Sequence, residues 1–343
     1  MAAPDRLALA FETGALALPA AGAVVVLRAE PSRFLASVPA EQLRCVQTFR
    51  PTFDALESLG VPVATEYAGP AAMAVVVLTR SRAESLGNIA RALAFLEPGG
   101  TLVVTGGKSE GADAIARQIA AAVPLAGTYV KAHGRVFWLV RPEALPAATA
   151  LWATEAASGA NADGFVTAPG MFSADHADPG SRRLAALLPG RLKGRVADLG
   201  AGWGWLAQAA LAACPEITEL DLHEAESLAL DAARANVTDA RARFHWTDVA
   251  HLGPGPIRYD AVIANPPFHQ GRAAEPGLGA AFIAAAARIL KPDGQLLLVA
   301  NRQLPYEAPL AAAFRDSERI AEDAGYKVLL ARRPQRPDRR HRA

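Results

Sequence analysis

Cysteine is scarce in this chain, and long uncharged apolar runs are missing. Cys45 and Cys214 are too few for a disulfide framework and lack the spacing of metal ligands, so we predict no metal site. No run of about twenty apolar residues without a charge occurs, which predicts no membrane span. Residues 15–27 are apolar, but Pro19 interrupts them and no basic segment precedes them, so we do not interpret them as a signal sequence. These features favour a cytoplasmic protein.

An excess of one charge is also missing, because the formal net charge is +1. Two segments are nevertheless basic. Residues 331–343 hold six arginines and one aspartate, and residues 181–195 hold five basic residues and no acid. The rest of the chain is slightly acidic, so a nucleic-acid partner would have to contact these local patches. A solvated surface is the competing interpretation of both segments.

The length and composition predict two globular domains. The chain has 343 residues, of which 51% are hydrophobic and 20% charged, which is enough for two cores. In both halves β-rich runs alternate with helical ones, which predicts an α/β fold with doubly wound, mainly parallel sheets. We expect one domain at residues 1–145, a linker at 146–169, a second domain at 170–333 and a basic tail at 334–343.

The expected elements of the two halves follow a similar order. Residues 95–104 align with residues 289–298 as a helix end, a Pro/Gly turn and a buried strand, which suggests duplication of one α/β unit. The alternative is that unrelated doubly wound domains share this order of helix, turn and strand without duplication. The expected strands are 23–28, 61–64, 73–79, 101–105, 135–140, 196–199, 217–223, 243–246, 261–264, 295–300 and 327–331, and the expected helices are 41–59, 83–96, 112–121, 206–213, 228–236 and 280–290.

A glycine-rich loop follows the strand at 196–199. Gly200, Gly202 and Gly204 let the backbone turn tightly and approach a ligand, and the helix that follows presents free N–H groups. Dinucleotide-binding enzymes place the third glycine one residue later. Here an acid, Asp198, stands beside the loop, which suits a ligand with a cationic amino group such as S-adenosylmethionine. A nucleotide-binding oxidoreductase and a purely structural turn are the alternatives.

Two further acids are candidates for contacts with that ligand. Glu224 follows the second strand, where an acid can bind both ribose hydroxyls in a bidentate manner. Asp221 and Glu226 are the alternative candidates for the ribose contact. We favour Glu224, because we expect Asp221 within the strand and Glu226 at the start of the next helix. Asp248 follows the third strand and could accept a hydrogen bond from an adenine amino group.

The fourth motif is Asn265-Pro266-Pro267-Phe268, at the end of the fourth strand. The Asn265 side-chain carbonyl and the Pro266 backbone carbonyl can accept both hydrogens of a planar NH₂ group. That arrangement would aim the nitrogen lone pair at a methyl donor. Phe268 offers a face on which a flipped base could stack. A bare turn is the alternative, but the order of the four motifs favours a methyltransferase.

Five motifs carry a resemblance to a known family. They are Gly170-Met171-Phe172-Ser173, Asp178-Pro179-Gly180-Ser181, the loop at 198–204, Asn265-Pro266-Pro267-Phe268-His269 and the segment 299–306, Val-Ala-Asn-Arg-Gln-Leu-Pro-Tyr. The chain resembles the bacterial ribosomal RNA small-subunit guanine-N2 methyltransferases of the methyltransferase C type, and the related large-subunit enzymes of the methyltransferase G type. The match is good over 171–332 and weaker before it.

The resemblance implies two tandem Rossmann-like class I methyltransferase domains, of which the N-terminal one is degenerate. Residues 25–32 stand where the first glycine loop should be, and residues 78–82 stand where Asn-Pro-Pro-Phe should be. The N-terminal half would then help to hold RNA or stabilise its partner domain. Carried over by position, the Asn265 tetrapeptide would be catalytic, and the glycine loop, Glu224 and Asp248 would bind S-adenosylmethionine.

The expected reaction is methyl transfer to the exocyclic N2 of a guanine in 16S rRNA. We expect a monomeric cytoplasmic protein that acts on this rRNA within the 30S subunit. Large-subunit rRNA is an alternative substrate, and the same tetrapeptide would suit adenine N6 or a glutamine amide of a protein. A non-catalytic RNA-binding protein that retains the fold is a further alternative, which the intact glycines oppose. The family resemblance does not account for the arginine-rich tail.

Overall fold

The chain folds into two compact units, each built around its own sheet. The computed structural model describes residues 5–267 and 276–335. One unit comprises residues 1–159 and 168–170, and the other comprises residues 160–167 and 171–343. Each unit contains a seven-stranded sheet with helices on both faces, as the alternation of elements predicts.

The first unit follows a strand–helix alternation and ends in an antiparallel pair at one edge of its sheet. Its strands are β1 (Val24–Leu27), β2 (Leu43–Val46), β3 (Val63–Ala64), β4 (Ala71–Val77), β5 (Leu96–Gly107), β6 (Gly127–Lys131) and β7 (Gly134–Val140). Its helices are α1 (Arg6–Glu12), α2 (Arg33–Ser37), α3 (Arg50–Ser58), α4 (Arg82–Phe95), α5 (Ala112–Ala122) and α6 (Ala147–Glu155).

The second unit repeats this order after two short strands, β8 (Gly159–Ala160) and β9 (Val166–Thr167). The strands of its large sheet are β10 (Gly194–Leu199), β11 (Ile217–Glu224), β12 (Ala242–Trp246), β13 (Tyr259–Ala264), β14 (Leu290–Asn301), β15 (Phe314–Glu322) and β16 (Tyr326–Pro334). Its helices are α7 (Pro179–Ala185), α8 (Trp205–Ala213), α9 (Ser227–Asn236), α10 (Pro276–Ile289) and α11 (Glu307–Ala313), with a short 3-10 turn at Val249–His251.

The two sheets have the same strand order. The first runs β3-β2-β1-β4-β5-β7-β6, and the second runs β12-β11-β10-β13-β14-β16-β15. Strands β1 and β10 are buried along most of their length because helices cover both sheet faces, which explains their continuous Val, Ala and Leu runs. The fold class expected from the sequence is therefore confirmed.

Equivalent glycines support the duplication. Gly22 and Gly194 both have positive φ, and a Cβ added to either would collide with a side chain of the neighbouring strand, that of Ala72 or Asp260. The pairing registers make these two positions equivalent, since Leu27 and Leu199 occupy matching sites on β1 and β10. The same close contact between a glycine and the neighbouring strand recurs in both units. The similarity of the units therefore extends beyond a common order of helices, turns and strands.

Part of the N-terminal half differs from the expectation. The helix predicted over 41–59 is wrong at its start, because Leu43–Val46 forms the strand β2 between β1 and β3, and helix α3 begins only at Arg50. The apolar spacing of this segment fits both periodicities, and pairing to a buried neighbour decides for the strand. The strands β6 and β15 were not expected either. Both are polar edge strands with little hydrophobic signal.

The segment expected as a linker, residues 146–169, contains the helix α6, which belongs to the first unit. The functional roles that the sequence assigns to the four segments stay predictions. Among the residues that the structure describes, no helix combines the length and apolarity needed to cross a bilayer.

Candidate active site

The candidate site lies where the strand order of the second unit reverses. Strand β10 has β11 on one side and β13 on the other, so the loops after β10 and β13 diverge at the carboxyl edge of the sheet. Open α/β sheets bind ligands at such a crevice. The pocket found there is lined by Phe172, Ser173, Asp178, Ser181, Gly200, Ala201, Gly202, Trp203, Trp205, Leu206 and Asn265.

All three glycines of the loop have left-handed backbone conformations. The φ angles of Gly200, Gly202 and Gly204 are 75°, 55° and 88°. A Cβ on Gly204 would lie 2.8 Å from the Val237 side chain, so this glycine is needed both for conformation and for close packing. A Cβ on Gly202 would meet open space, which leaves the loop accessible to a ligand at that point.

Asp198 is a buried carboxylate without a hydrogen-bond partner. It is 1% exposed, and neither of its oxygens is bonded within the described residues. Burial, together with the negative charge of Glu224, raises the pKa of Asp198 to about 8. An orphaned acid beside a glycine loop fits a ligand with a cationic amino group, which would relieve both the desolvation and the repulsion. The residues present therefore fit S-adenosylmethionine.

Glu224 ends β11 and closes onto the glycine loop. Its Oε2 accepts from the backbone N–H of Gly202 at 2.7 Å, while Oε1 accepts from the N–H groups of Ala225 and Glu226 at 2.8 and 2.9 Å. Burial raises the pKa of this carboxyl, and the three N–H groups oppose the rise. Since Oε1 already accepts two bonds, only Oε2 keeps a lone pair for a ribose hydroxyl. The expected bidentate grip would require this arrangement to change.

The other acids near these strands have different partners. Asp221 is buried within the sheet, where it accepts from the Tyr259 hydroxyl at 2.7 Å and lies 2.8 Å from His245. Glu226 caps α9. Asp248 caps the 3-10 turn after β12 through Ala250 N–H at 2.9 Å, and its second oxygen lies 2.6 Å from a ring nitrogen of His251. Each Asp248 oxygen keeps one lone pair for an adenine amino group.

The Asn265 turn lies directly beside the glycine loop. Asn265 is half-buried, Pro266 is buried and Pro267 is exposed, while Phe268 lies outside the described residues. The Nδ2 of Asn265 donates to Asp178 Oδ2 at 2.9 Å and to Ser181 Oγ at 2.8 Å. Its Oδ1 makes no bond within the described part of the chain. The structure thus brings Asn265 and the glycine loop into one pocket.

Several pocket residues were not singled out as site residues from the sequence. Phe172 is 56% exposed, and its carbonyl accepts from the Trp203 indole N–H at 2.9 Å. Ser173 has a φ of 50°, an unusual conformation for a non-glycine residue and one that recurs at functional sites. These residues precede β10 by about twenty positions, so only the folded chain brings them to the loop. Their appearance among the family motifs was the available signal.

The basic segment 181–195 is largely neutralised by ion pairs. Arg182 pairs with Asp163, Arg183 with Asp323 and Arg195 with Glu219. Exposed pairs of this kind contribute little stability, but they reduce the positive potential that a phosphate would experience.

No cluster of three or more His, Cys, Asp or Glu side chains arranged for a metal ion occurs within residues 5–267 and 276–335.

The equivalent crevice of the first unit is an open pocket of about 880 Å³, but charged side chains replace the glycine loop in its lining. Arg28, at the position of Gly200, retains a positive φ of 56° and forms an ion pair with Glu84. Asp5 accepts from the first N–H groups of α2, those of Arg33 and Phe34, at 2.8 and 3.3 Å. This helix N-terminus therefore already binds a carboxylate of the chain itself. The pairing registers make Val77 the residue equivalent to Asn265. The sequence predicted this position one residue later, in the segment 78–82.

Known proteins are similar in sequence to the second unit. The family model of the methyltransferase small domain matches residues 163–330. This match lies within residues 160–343 and covers just under half of the chain. A "Ribosomal RNA large subunit methyltransferase G" of Shewanella amazonensis is 36% identical over 167 residues, covering 47% of this chain and 43% of that protein. A "Ribosomal RNA small subunit methyltransferase C" of Pectobacterium atrosepticum is 36% identical, covering 48% and 47%. The resemblance stated from the motifs is confirmed.

The matches with these two rRNA methyltransferases are partial. The chain spans less than half the length of either of these two curated relatives.

One solved structure matches across both units. It is a 16S rRNA N2 methyltransferase of T. thermophilus in complex with AdoMet and guanosine, with a TM-score of 0.75 and 24% identity over 92% of this chain and 90% of that one. At this identity the match shows a shared fold. Because it covers 92% of the chain, the shared fold includes the first unit as well as the second.

Proposed function

We propose that this chain is an S-adenosylmethionine-dependent methyltransferase that modifies the exocyclic N2 of a guanine in small-subunit rRNA. One observation carries the proposal: Asn265 Oδ1, which is unbonded among the described residues, shares a pocket with the glycine loop at the switch point of the sheet. A hydrogen-bond acceptor for an amine and a loop suited to the donor are thereby held side by side. The names of the relatives and of the solved structure support rRNA and N2.

The glycine loop and its acids would hold the donor. Asp198 lies two residues before the first glycine of the loop, neither of its oxygens is bonded among the described residues, and a cationic amino group would compensate its charge. Glu224 offers Oε2 to a ribose hydroxyl, and Asp248 offers carboxylate oxygens to an adenine amine. Bound S-adenosylmethionine would supply an electrophilic methyl group.

The Asn265 turn would position the acceptor amine. Asn265 Oδ1 and the Pro266 carbonyl accept its two hydrogens, which directs the nitrogen lone pair toward the donor. Both groups are neutral, as suits a neutral amine. The acceptor nitrogen would form its bond to the methyl carbon as the carbon–sulfur bond breaks, and the methylated amine would then release its proton to water. Phe268 would stack on the flipped base.

The first unit is proposed to have no donor site. Arg28 replaces the first glycine and Asp5 occupies the helix N-terminus, so both parts of a donor-binding loop are altered. The unit retains a full fold, which is consistent with holding RNA or stabilising its partner domain. We further propose that the protein acts as a monomer on the 30S subunit in the cytoplasm.

The test is methyl transfer from a tritiated donor to naked rRNA, 30S particles, 50S particles and release factors in separate reactions. We expect label in 16S rRNA that digests to N2-methylguanosine. Label confined to 50S particles would favour the large-subunit alternative, and label on N6-methyladenosine would replace guanine by adenine. Label on a release factor alone, or on none of the four, would overturn the proposal. Titration with NADH tests the oxidoreductase alternative, for which we expect no binding.

A further inference from the structure

The amide of Asn265 is held in one orientation by two residues that lie more than eighty positions earlier. Its Nδ2 donates one hydrogen to Asp178 and the other to Ser181, at 2.9 and 2.8 Å. An ionised carboxylate can only accept hydrogen bonds, so the nitrogen end of the amide must face Asp178. Both amide hydrogens are used in this way, and Oδ1 is left pointing away from the pair.

Asp178 is itself fixed in place. It is 8% exposed, and the same Oδ2 accepts from the backbone N–H of Ser181 at 2.9 Å, which caps α7. Pro179 occupies the first turn of α7, where a missing N–H has no cost. A Cβ on Gly180 would lie 2.9 Å from Asp178 Oδ2 and 2.8 Å from the Tyr326 ring. The Asp-Pro-Gly-Ser motif therefore holds the two hydrogen-bond acceptors of the Asn265 amide in fixed positions.

We propose that Asp178 and Ser181 are positioning residues, which present Asn265 Oδ1 to the acceptor amine and prevent the amide from turning over. This inference rests on the proposed methyl transfer. An inverted amide would direct its own N–H groups at the acceptor N–H groups and would repel them. The Asp178 charge also polarises the amide, which makes Oδ1 a stronger acceptor as positive charge develops on the amine nitrogen.

The decisive variant is Asp178→Asn, because asparagine caps a helix as well as aspartate does and has the same size. Its side chain can also donate, so the Asn265 amide is no longer confined to one orientation. We expect kcat to fall about 10- to 100-fold, the range for loss of a hydrogen bond to a charged group. Donor affinity should stay within about twofold. Ser181→Ala should lower kcat by a smaller factor, and Ser181→Thr, which keeps the hydroxyl, should restore it.

A direct readout separates this inference from the activity itself. In ¹⁵N-labelled protein the side-chain NH₂ of Asn265 should be protected from hydrogen exchange, and Asp178→Asn should remove that protection. In a double-mutant cycle, Asp178→Asn should cost little further activity once Asn265 is alanine. Asp323→Asn is the matched control. That aspartate also accepts backbone N–H bonds and forms an ion pair with Arg183 of α7, but it makes no hydrogen bond to Asn265 among the described residues.

Wild-type kcat in Asp178→Asn, or an equally exposed Asn265 amide in the unchanged protein, would overturn the inference. So would an equal loss in the Asn265→Ala background, because a structural role of Asp178 would act independently of Asn265. If the unchanged protein methylates none of the substrates, the proposed function fails. The exchange measurement then still decides whether Asp178 and Ser181 hold the amide.

Discussion

Gln47 and Glu224 occupy equivalent positions at the ends of β2 and β11 and make nearly the same contacts. Each uses Oε1 to accept from the next two backbone N–H groups. The other side-chain atom differs: Glu224 Oε2 accepts from Gly202 N–H, whereas Gln47 Nε2 donates to the Ala29 carbonyl at 2.8 Å. A ribose hydroxyl needs an acceptor at this point, and the amide nitrogen of Gln47 cannot supply one. One atom thus distinguishes the proposed donor site from a structural crosslink.

Replacing Glu224 by Gln should therefore make the second unit resemble the first. Nε2 would face Gly202 N–H and could no longer accept from a ribose, so we expect donor affinity to fall about tenfold or more. Isothermal titration with S-adenosylmethionine measures this. Glu226→Gln is the control, because Glu226 caps α9 and should leave the affinity nearly unchanged. Equal losses in both variants would contradict the assignment of Glu224.

The reciprocal change, Gln47→Glu, should destabilise the first unit. A carboxylate oxygen would face the Ala29 carbonyl in a buried site, leaving two acceptors without a hydrogen between them. We expect the free energy of unfolding to fall by about 1–3 kcal/mol. Hydrogen exchange of β1 and β2 amides measures it within the whole chain. Unaltered exchange in those strands would show that the crosslink contributes nothing.

Asp198 should make the ligand-free second unit less stable as the pH rises. Its pKa is about 8 in the folded chain against the usual 3.8 of an aspartate, so the native state retains a proton that the unfolded state has lost. The stabilisation is complete below pH about 4 and disappears as the pH rises to about 8. Asp198→Asn should remove this dependence and be the more stable form at pH 9, by more than about 1 kcal/mol.

Hydrogen exchange of β10 amides at pH 5, 7 and 9 compares the two proteins. The same variant should bind S-adenosylmethionine more weakly, because it lacks the negative charge that an amino group would meet. Parallel pH profiles for wild type and variant would refute the buried charge as the cause.

Asn265→Ala should strongly reduce turnover and spare donor binding. The variant lacks the acceptor for the amine, which is comparable to removing a donor from an oxyanion hole, so we expect kcat to fall about 10²- to 10³-fold. Since Asn265 makes no bond to the glycine loop, donor affinity should change by less than about threefold. Tritium transfer and titration calorimetry measure the two quantities. Full activity in this variant would mean that the turn has only a structural role.

Asn265→Asp tests the charge of the same site. A carboxylate there would lie 2.9 Å from Asp178, and repulsion would raise the pKa of the pair. Only the protonated form can donate to Asp178 while offering an oxygen to the amine. We therefore expect low activity that declines further as the pH rises, relative to wild type. A pH–rate profile parallel to that of the unchanged protein would exclude this coupling.

Much of the fold follows from local patterns. The buried runs of β10 and β13 and the glycines after β10 predict strands and a tight turn wherever they occur, because backbone conformation and side-chain burial limit the options. Local pattern was insufficient for 41–59, where pairing of β2 with β1 overrides a helical spacing. It was also insufficient for the polar edge strands β6 and β15, whose hydrogen bonds come from one neighbour that the local sequence does not reveal.

The sequence by itself determined the chemistry of the candidate site: three glycines, an acid beside them and an asparagine followed by two prolines can be read from residue types and spacing. Only the tertiary structure decided how those groups are held. Asp178 and Ser181 reach Asn265 because the start of α7 lies beside the residue that follows β13, and Asp198 is buried in the sheet without a hydrogen-bond partner among the described residues. Hydrogen-bond orientation and desolvation are properties of three-dimensional surroundings, which spacing along the chain does not specify.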